Sequence, residues 1–329
     1  MDIICAFSSD SRPLYQADIY RVLSLPEGHI MHFRYKKRWV DDNLLLPKFE
    51  LKNKDVAIFY THGNNGNAES EQSHISIRRA KIAHTEISSE TDVFHVYMKL
   101  ERFCNISIDS GNSTEKNPPT KYLSKLACTE LSSHNNWQAR VNAVKDFFPK
   151  ITFFHVKGIH SRFRKLPTKY KDKSKFCFYN LTHGDRYILK LALGNPEQSN
   201  TKIKLHDSSE EITINCINPL ETSIQFDDYD IPISVKPLQV MKQASLLTFS
   251  PKQENSDLGE YSTNIELNLN LTIKRPIIFG AFSLLALWAL LLVNPTSPSD
   301  QWPSPTTLAI ASLMFWVASA SLFFWFNKK

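Results

Sequence analysis

Cysteine is scarce and scattered in this chain: five in 329 residues, at Cys5, Cys104, Cys128, Cys177 and Cys216, odd in number and never in a C-x-x-C pair. A disulfide framework or a zinc site needs clustering, so neither organises the fold, and reduced, mostly buried thiols in a cytosolic setting are expected. Glycine is also sparse. The nine glycines include no two that stand four residues apart, so the G-x-S-x-G nucleophile elbow is absent. No P-loop, G-x-G-x-x-G or H-E-x-x-H occurs either, and no cofactor or metal site is expected. The opening MDIICAFSSDSRPLY lacks the basic start and apolar core of a secretory signal. The large polar part is therefore expected to remain in the cytoplasm.

Charge is missing from one end. From Pro276 onward only Asp300, Lys328 and Lys329 are charged. The run 276–293 holds 18 uncharged residues and would span roughly 27 Å as a helix; the run 306–326 would span roughly 31 Å. Buried helices of a soluble fold are rarely apolar all round over such lengths. A two-helix transmembrane hairpin over 276–329 is expected. Lys274 and Arg275 precede the first run, Lys328 and Lys329 follow the second, and the connector carries one negative charge. Basic flanks favour the cytoplasmic side, so both termini are expected inside a cell (inner) membrane. No ionisable residue lies within either run, which argues against a proton relay or a selective filter.

What is present in the first 275 residues is strand pattern and positive charge. The segments GHIMHFRYKKRWV, DVAIFYTH, HISIRRAKIAHTEI and DVFHVYMKLERFCNI are rich in β-branched and aromatic residues and bounded by turn formers. Residues 1 to about 127 read mainly as strands. Trp137, Val141, Val144 and Phe148 recur at helical spacing after a capping Ser132 or Ser133, and ITFFHV returns to strand. The fold class is mainly β: an α+β domain over 1–159, a basic linker over 160–175, and an antiparallel β-sandwich over 176–275, such as the immunoglobulin fold. In its last strand Ile265, Leu267, Leu269, Leu271 and Ile273 alternate onto one face.

The net charge of +6 points to an anionic partner. Three clusters carry it. Arg34, Lys36 and Arg38 are expected on one face of a strand, about 6.6 Å apart, with Phe33, Tyr35 and Trp39 on the other. Arg78, Arg79 and Lys81 form a second row. Arg162, Arg164, Lys165, Lys169, Lys171, Lys173 and Lys175 form a third, suited to anionic lipid or to a partner carrying nucleic acid. The bland reading of each row is a solvated strand face or linker. Asp227, Asp228 and Asp230 read as a solvated turn. THGNNGNAES (61–70) resembles the oxyanion-hole turn of the α/β-hydrolases, but the elbow that fold needs is missing.

A cytoplasmic β-rich module with no visible catalytic centre, ending in a bare two-helix hairpin, resembles in layout the transmembrane effectors of prokaryotic antiviral defence systems linked to argonaute, CRISPR or cyclic oligonucleotides. The resemblance covers the whole chain and carries no shared motif. It implies a non-enzymatic effector that oligomerises when triggered and disrupts or depolarises the membrane. Its partners would be the bilayer, further copies of itself and a cytoplasmic protein. A membrane scaffold that only localises a partner and a hydrolase whose site assembles in three dimensions are the competing readings.

Overall fold

The first strand, β1 (Asp2–Ser9), is buried on both faces from Ile3 onward. It sits inside a sheet covered on both sides, which is why it reads as an unbroken apolar run rather than an alternating one. After it come α1 (Pro13–Ser24), β2 (Ile30–Lys36), α2 (Asp42–Leu45), β3 (Asp55–His62), β4 (Ser73–Ser88), β5 (Val93–Phe103), β6 (Ile106–Ile108), β7 (Leu123–Glu130) and α3 (Trp137–Val144). The seven strands form one sheet in the order β2-β5-β4-β3-β1-β7-β6, in which only β1 and β3 run parallel. This computed structural model describes residues 2–273 apart from 47–49, 64–72, 89, 110–120, 133–134, 149–150, 163, 172–174, 195–200, 223–224, 241 and 253–263.

Sequence pattern alone suggested mainly strands over 1–127, and α1 is a helix it did not pick out. Pro13 occupies its first turn, where the missing N–H costs nothing, and Leu25 before Pro26 is extended and ends it. Ala17, Ile19, Tyr20, Val22 and Leu23 are buried. Full burial of each large apolar side chain stabilises by ~1.5–3 kcal/mol. At α3 the cap is Asn136, not Ser132 or Ser133: its side chain accepts from the Ala139 N–H at 2.8 Å.

The sheet also curls. Val40, just beyond β2, bridges to Leu123 of β7, and the Asp41 N–H donates to the Leu123 carbonyl at 2.8 Å. One edge strand therefore leads back to the far side of its own sheet, which places the end of β2 beside the end of β1.

The second unit holds β8 (Phe153–Ser161), β9 (Lys169–Lys171), β10 (Phe176–Thr182), β11 (Arg186–Gly194), β12 (Thr201–Asp207), β13 (Ile212–Ile214), β14 (Leu220–Thr222), β15 (Phe226–Val235), β16 (Lys242–Lys252) and β17 (Ile265–Thr272). They make two sheets, β14-β12-β16-β17-β10-β9 and β13-β15-β11-β8. Stacking of Phe154 on Phe249 at 5.5 Å joins them face to face. Ile265, Leu267, Leu269 and Leu271 of β17 are buried, as the alternation required. β8 pairs with β11, although the sequence grouped residues up to 159 with the first domain. Asp228 and Asp230 lie on β15, paired with Lys157 and Lys190, rather than in a turn. The two units share one core: the Tyr20 hydroxyl donates to the Thr152 carbonyl at 2.7 Å, and its ring meets Phe154 edge-on.

At this junction lies Arg78, 1% exposed. Its guanidinium donates to the carbonyls of Glu101, Val22 and Leu25 and rests 4.4 Å over the Phe103 ring. Val22 and Leu25 belong to the end of α1, so Arg78 caps that helix from β4. Burial pushes its pKa down to about 9. Two buried histidines face this cation. Burial, then the Arg78 charge, lowers His29 to about 4 and holds His155 well below its ordinary range. Both are neutral in the fold, whereas the unfolded chain protonates them below pH ~6.5. Stability is therefore expected to be lost as pH falls from ~6.5 toward 4, by up to about 1.4 kcal/mol per pH unit for each histidine. Urea midpoints between pH 7.5 and 4.5 check this. The double variant His29→Gln/His155→Gln should flatten the profile, and a parent profile already flat there would refute it.

Among the described residues no helix is long and apolar enough to cross a membrane. The runs 276–293 and 306–326, with Lys274, Arg275, Lys328 and Lys329, lie outside the described residues.

Candidate functional site

The curl of the sheet opens a cleft of about 460 Å³ between the ends of β1 and β2 and the start of α1. Four cations line it: Arg12, Arg34, Lys36 and Arg38. None of the four is engaged in an ion pair among the described residues. One carboxylate, Asp18, shares the cleft and lies 3.0 Å from Arg21. Its pKa is raised by burial, against the opposing pull of Arg21 and Arg34. The excess is three positive charges in a recess, where surrounding low-dielectric walls strengthen attraction for an anion.

Aromatic groups line the same cleft. The Arg12 guanidinium stands 5.9 Å over Tyr15, and that of Arg38 stands 5.1 Å over Trp39. Trp39 in turn meets Tyr122 edge-on at 5.3 Å. Tyr35 is 7% exposed, lines the cleft, and its hydroxyl has no hydrogen-bond partner among the described residues. Burial raises its pKa, so that hydroxyl stays neutral. A buried polar group is normally satisfied, and this hydroxyl is an exception enclosed by the fold, with its oxygen out of reach of solvent in the cleft. The turn before α1 adds small hydroxyls: Ser8 donates to the Tyr15 carbonyl at 2.9 Å, and Ser9 and Ser11 share a 2.7 Å bond.

Arg34 and Lys36 stand on the exposed face of β2, and Phe33 and Tyr35 on the buried one, as the alternation required. The strand stops at Lys36. Residues Lys37–Trp39 form a 3-10 turn, so Arg38 reaches the cleft from that turn and Trp39 is half-exposed instead of joining the core. The second row does not survive as a row. Arg78 is buried, Arg79 pairs with Glu130, and Lys81 lies between Asp55 and Glu101. A bulge between Ile58 and Phe59 and another between Arg78 and Ala80 shift the side chains of β4 from strict alternation.

The third row is partly pinned down. Arg162, Arg164, Lys169 and Lys171 are exposed, and Lys173 lies outside the described residues. Lys165 is 4.0 Å from Glu27. Lys175 bonds Glu86 at 2.9 Å and rests 5.0 Å over Tyr97, docking the ribbon's end on β4 and β5. Thr168 bonds the Gly28 carbonyl at 3.0 Å, and the positive φ of Gly28 with Thr168 packed against it leaves no room for a side chain there. The stretch is thus a fitted strap more than a free linker.

The H-G-N turn begins at the end of β3. Asp10 Oδ2 lies 2.9 Å from His62 Nδ1 and accepts the Gly63 N–H at 2.9 Å. Residues 64–72 fall outside the described residues. The sheet around this turn is mixed and largely antiparallel.

Sequence reasoning missed Arg12 and Asp18. The available signal was SSDSRP, a polar turn between an apolar strand and a proline-started helix.

No protein-family model matches the sequence. A search of curated proteins finds no match either. Among solved structures, a family 123 glycoside hydrolase from Clostridium perfringens is similar over 43% of this chain, with 8% identity and a TM-score of 0.24. This chain spans 32% of that protein's length.

Proposed function

We propose that this protein is a membrane-anchored effector that senses an anionic ligand. The ligand enters the cleft of Arg12, Arg34, Lys36 and Arg38, and the chain, acting as an oligomer, then disrupts or depolarises the membrane through residues 276–329. The observation that carries the reading is a recess holding four cations that make no ion pair among the described residues, in the same chain as two uncharged runs of membrane-spanning length. β17, which leads toward the first run, is hydrogen-bonded to β16 on one side and β10 on the other, through Thr272. A packed strand passes on a displacement that a slack tether would absorb.

The exposed Arg162, Arg164, Lys169 and Lys171 add attraction for an anionic leaflet, ~1 kcal/mol each when close to the surface. They equally suit a cytoplasmic partner carrying nucleic acid. The test is dye release. Full-length protein in vesicles containing anionic lipid should release a small entrapped dye as it oligomerises, and a chain lacking 276–329 should release none. Vesicle binding without any leak would favour a scaffold that localises a partner. Full cellular activity from the truncated chain would move the case to a soluble enzyme.

A further inference from the structure

We infer that the cleft between β1, α1 and β2 takes a nucleoside 5′-monophosphate, with the phosphate on the rim cations and the base against the Arg38–Trp39 stack. This rests on the anion-sensing reading of the same cleft and narrows it to one ligand class.

The cleft is divided by chemistry. Its charge comes from long side chains without an ion pair among the described residues, Arg12, Arg34, Lys36 and Arg38, suited to a doubly charged phosphate that arginine can grip with two parallel N–H groups. A simple anion site needs nothing more. Yet this one also contains Tyr15, Tyr35, Trp39 and Tyr122. The Arg38 guanidinium already lies on the Trp39 ring at 5.1 Å, forming a layered platform. Nucleobases stack on guanidinium planes as well as on aromatic rings, so a base extends that stack by one layer.

Size agrees: about 460 Å³ lies within the range of small-ligand pockets, roughly 300–1,000 Å³. The start of α1 contributes further. Arg12 precedes the helix, whose first turn carries neither a side-chain cap nor an acidic residue, which favours an anion nearby.

The experiment is calorimetric titration of the full-length protein in detergent with AMP, GMP, CMP, UMP, ribose 5-phosphate and inorganic phosphate. At least one nucleotide should bind ten or more times tighter than ribose 5-phosphate. Trp39→Ala should erase that advantage, and Trp39→Phe should restore most of it. If all four nucleotides bind no tighter than ribose 5-phosphate, or if Trp39→Ala changes nothing, the nucleotide inference falls while anion sensing stands. If neither nucleotide nor phosphate binds, both fall.

Discussion

Replacing Arg78 by alanine is expected to cost the fold about 3–5 kcal/mol, the usual penalty for removing one partner of a buried charged network. The guanidinium serves three carbonyls at once, those of Glu101, Val22 and Leu25, at 2.6 to 2.9 Å. Two of these terminate α1, whose last carbonyls have no partner within the helix. The substitution leaves them buried and unpaired and opens a cavity beside Phe103. The cost should spread, because α1 packs on β1 and β4 of the first sheet and on β8 of the sandwich. Arg78→Met fills the volume but satisfies no carbonyl, so it should recover less than half of the loss. Arg78→Lys keeps a cation and should recover more. Equilibrium urea unfolding of the full-length chain reads all three. A loss under about 1 kcal/mol for alanine would mean that α1 is held without this contact, and the account of the shared core would fail.

Arg78 also marks the limit of what a sequence pattern reveals. β2, β3, β4 and β5 were legible because each strand alternates or runs apolar between turn formers, and the buried run of β17 was legible for the same reason. The row Arg78, Arg79, Lys81 was misjudged because the bulges of β4 bury Ser76, Ile77 and Arg78 consecutively. Strict period-2 reasoning would send Arg78 and Ile77 to opposite faces. α1 was hidden by the strand-like residues around it, although Pro13 and Pro26 bracket it. The mainly β class follows from local pattern, but the cleft does not. Arg12 and Arg38 are 26 positions apart and meet only because Val40 bridges to β7 and curls the sheet. Such a closure depends on how strands pair across the whole sheet, and no window of sequence contains it.

Neutralising the cleft should have the largest effect on binding. The triple variant Arg34→Gln/Lys36→Gln/Arg38→Gln removes three positive charges and leaves Arg12 against Asp18, so the recess goes from an excess of three to none. Hydrogen bonds between charged groups contribute roughly 1.5–3 kcal/mol each. Losing three of them, even with partial compensation, should weaken binding of inorganic phosphate or a nucleotide by about 10³-fold or more. All three side chains lie on exposed positions of β2 or the turn after it, and stability should change little. Arg79→Gln is the control: its charge is spent on Glu130, outside the cleft, and ligand affinity should stay at the parent's level. Salt separates attraction from shape. Raising the ionic strength from 0.05 to 0.5 M should weaken the parent strongly, and the triple variant hardly at all, because exposed charges are screened within about 8 Å at physiological salt. In vesicles the triple variant should still insert through 276–329 but should no longer respond to the ligand. Equal affinity in parent and triple variant at low salt would remove the cleft from any sensing role. The exposed cations of 162–171 would then be the remaining place for an anion to act, and the scaffold reading would gain.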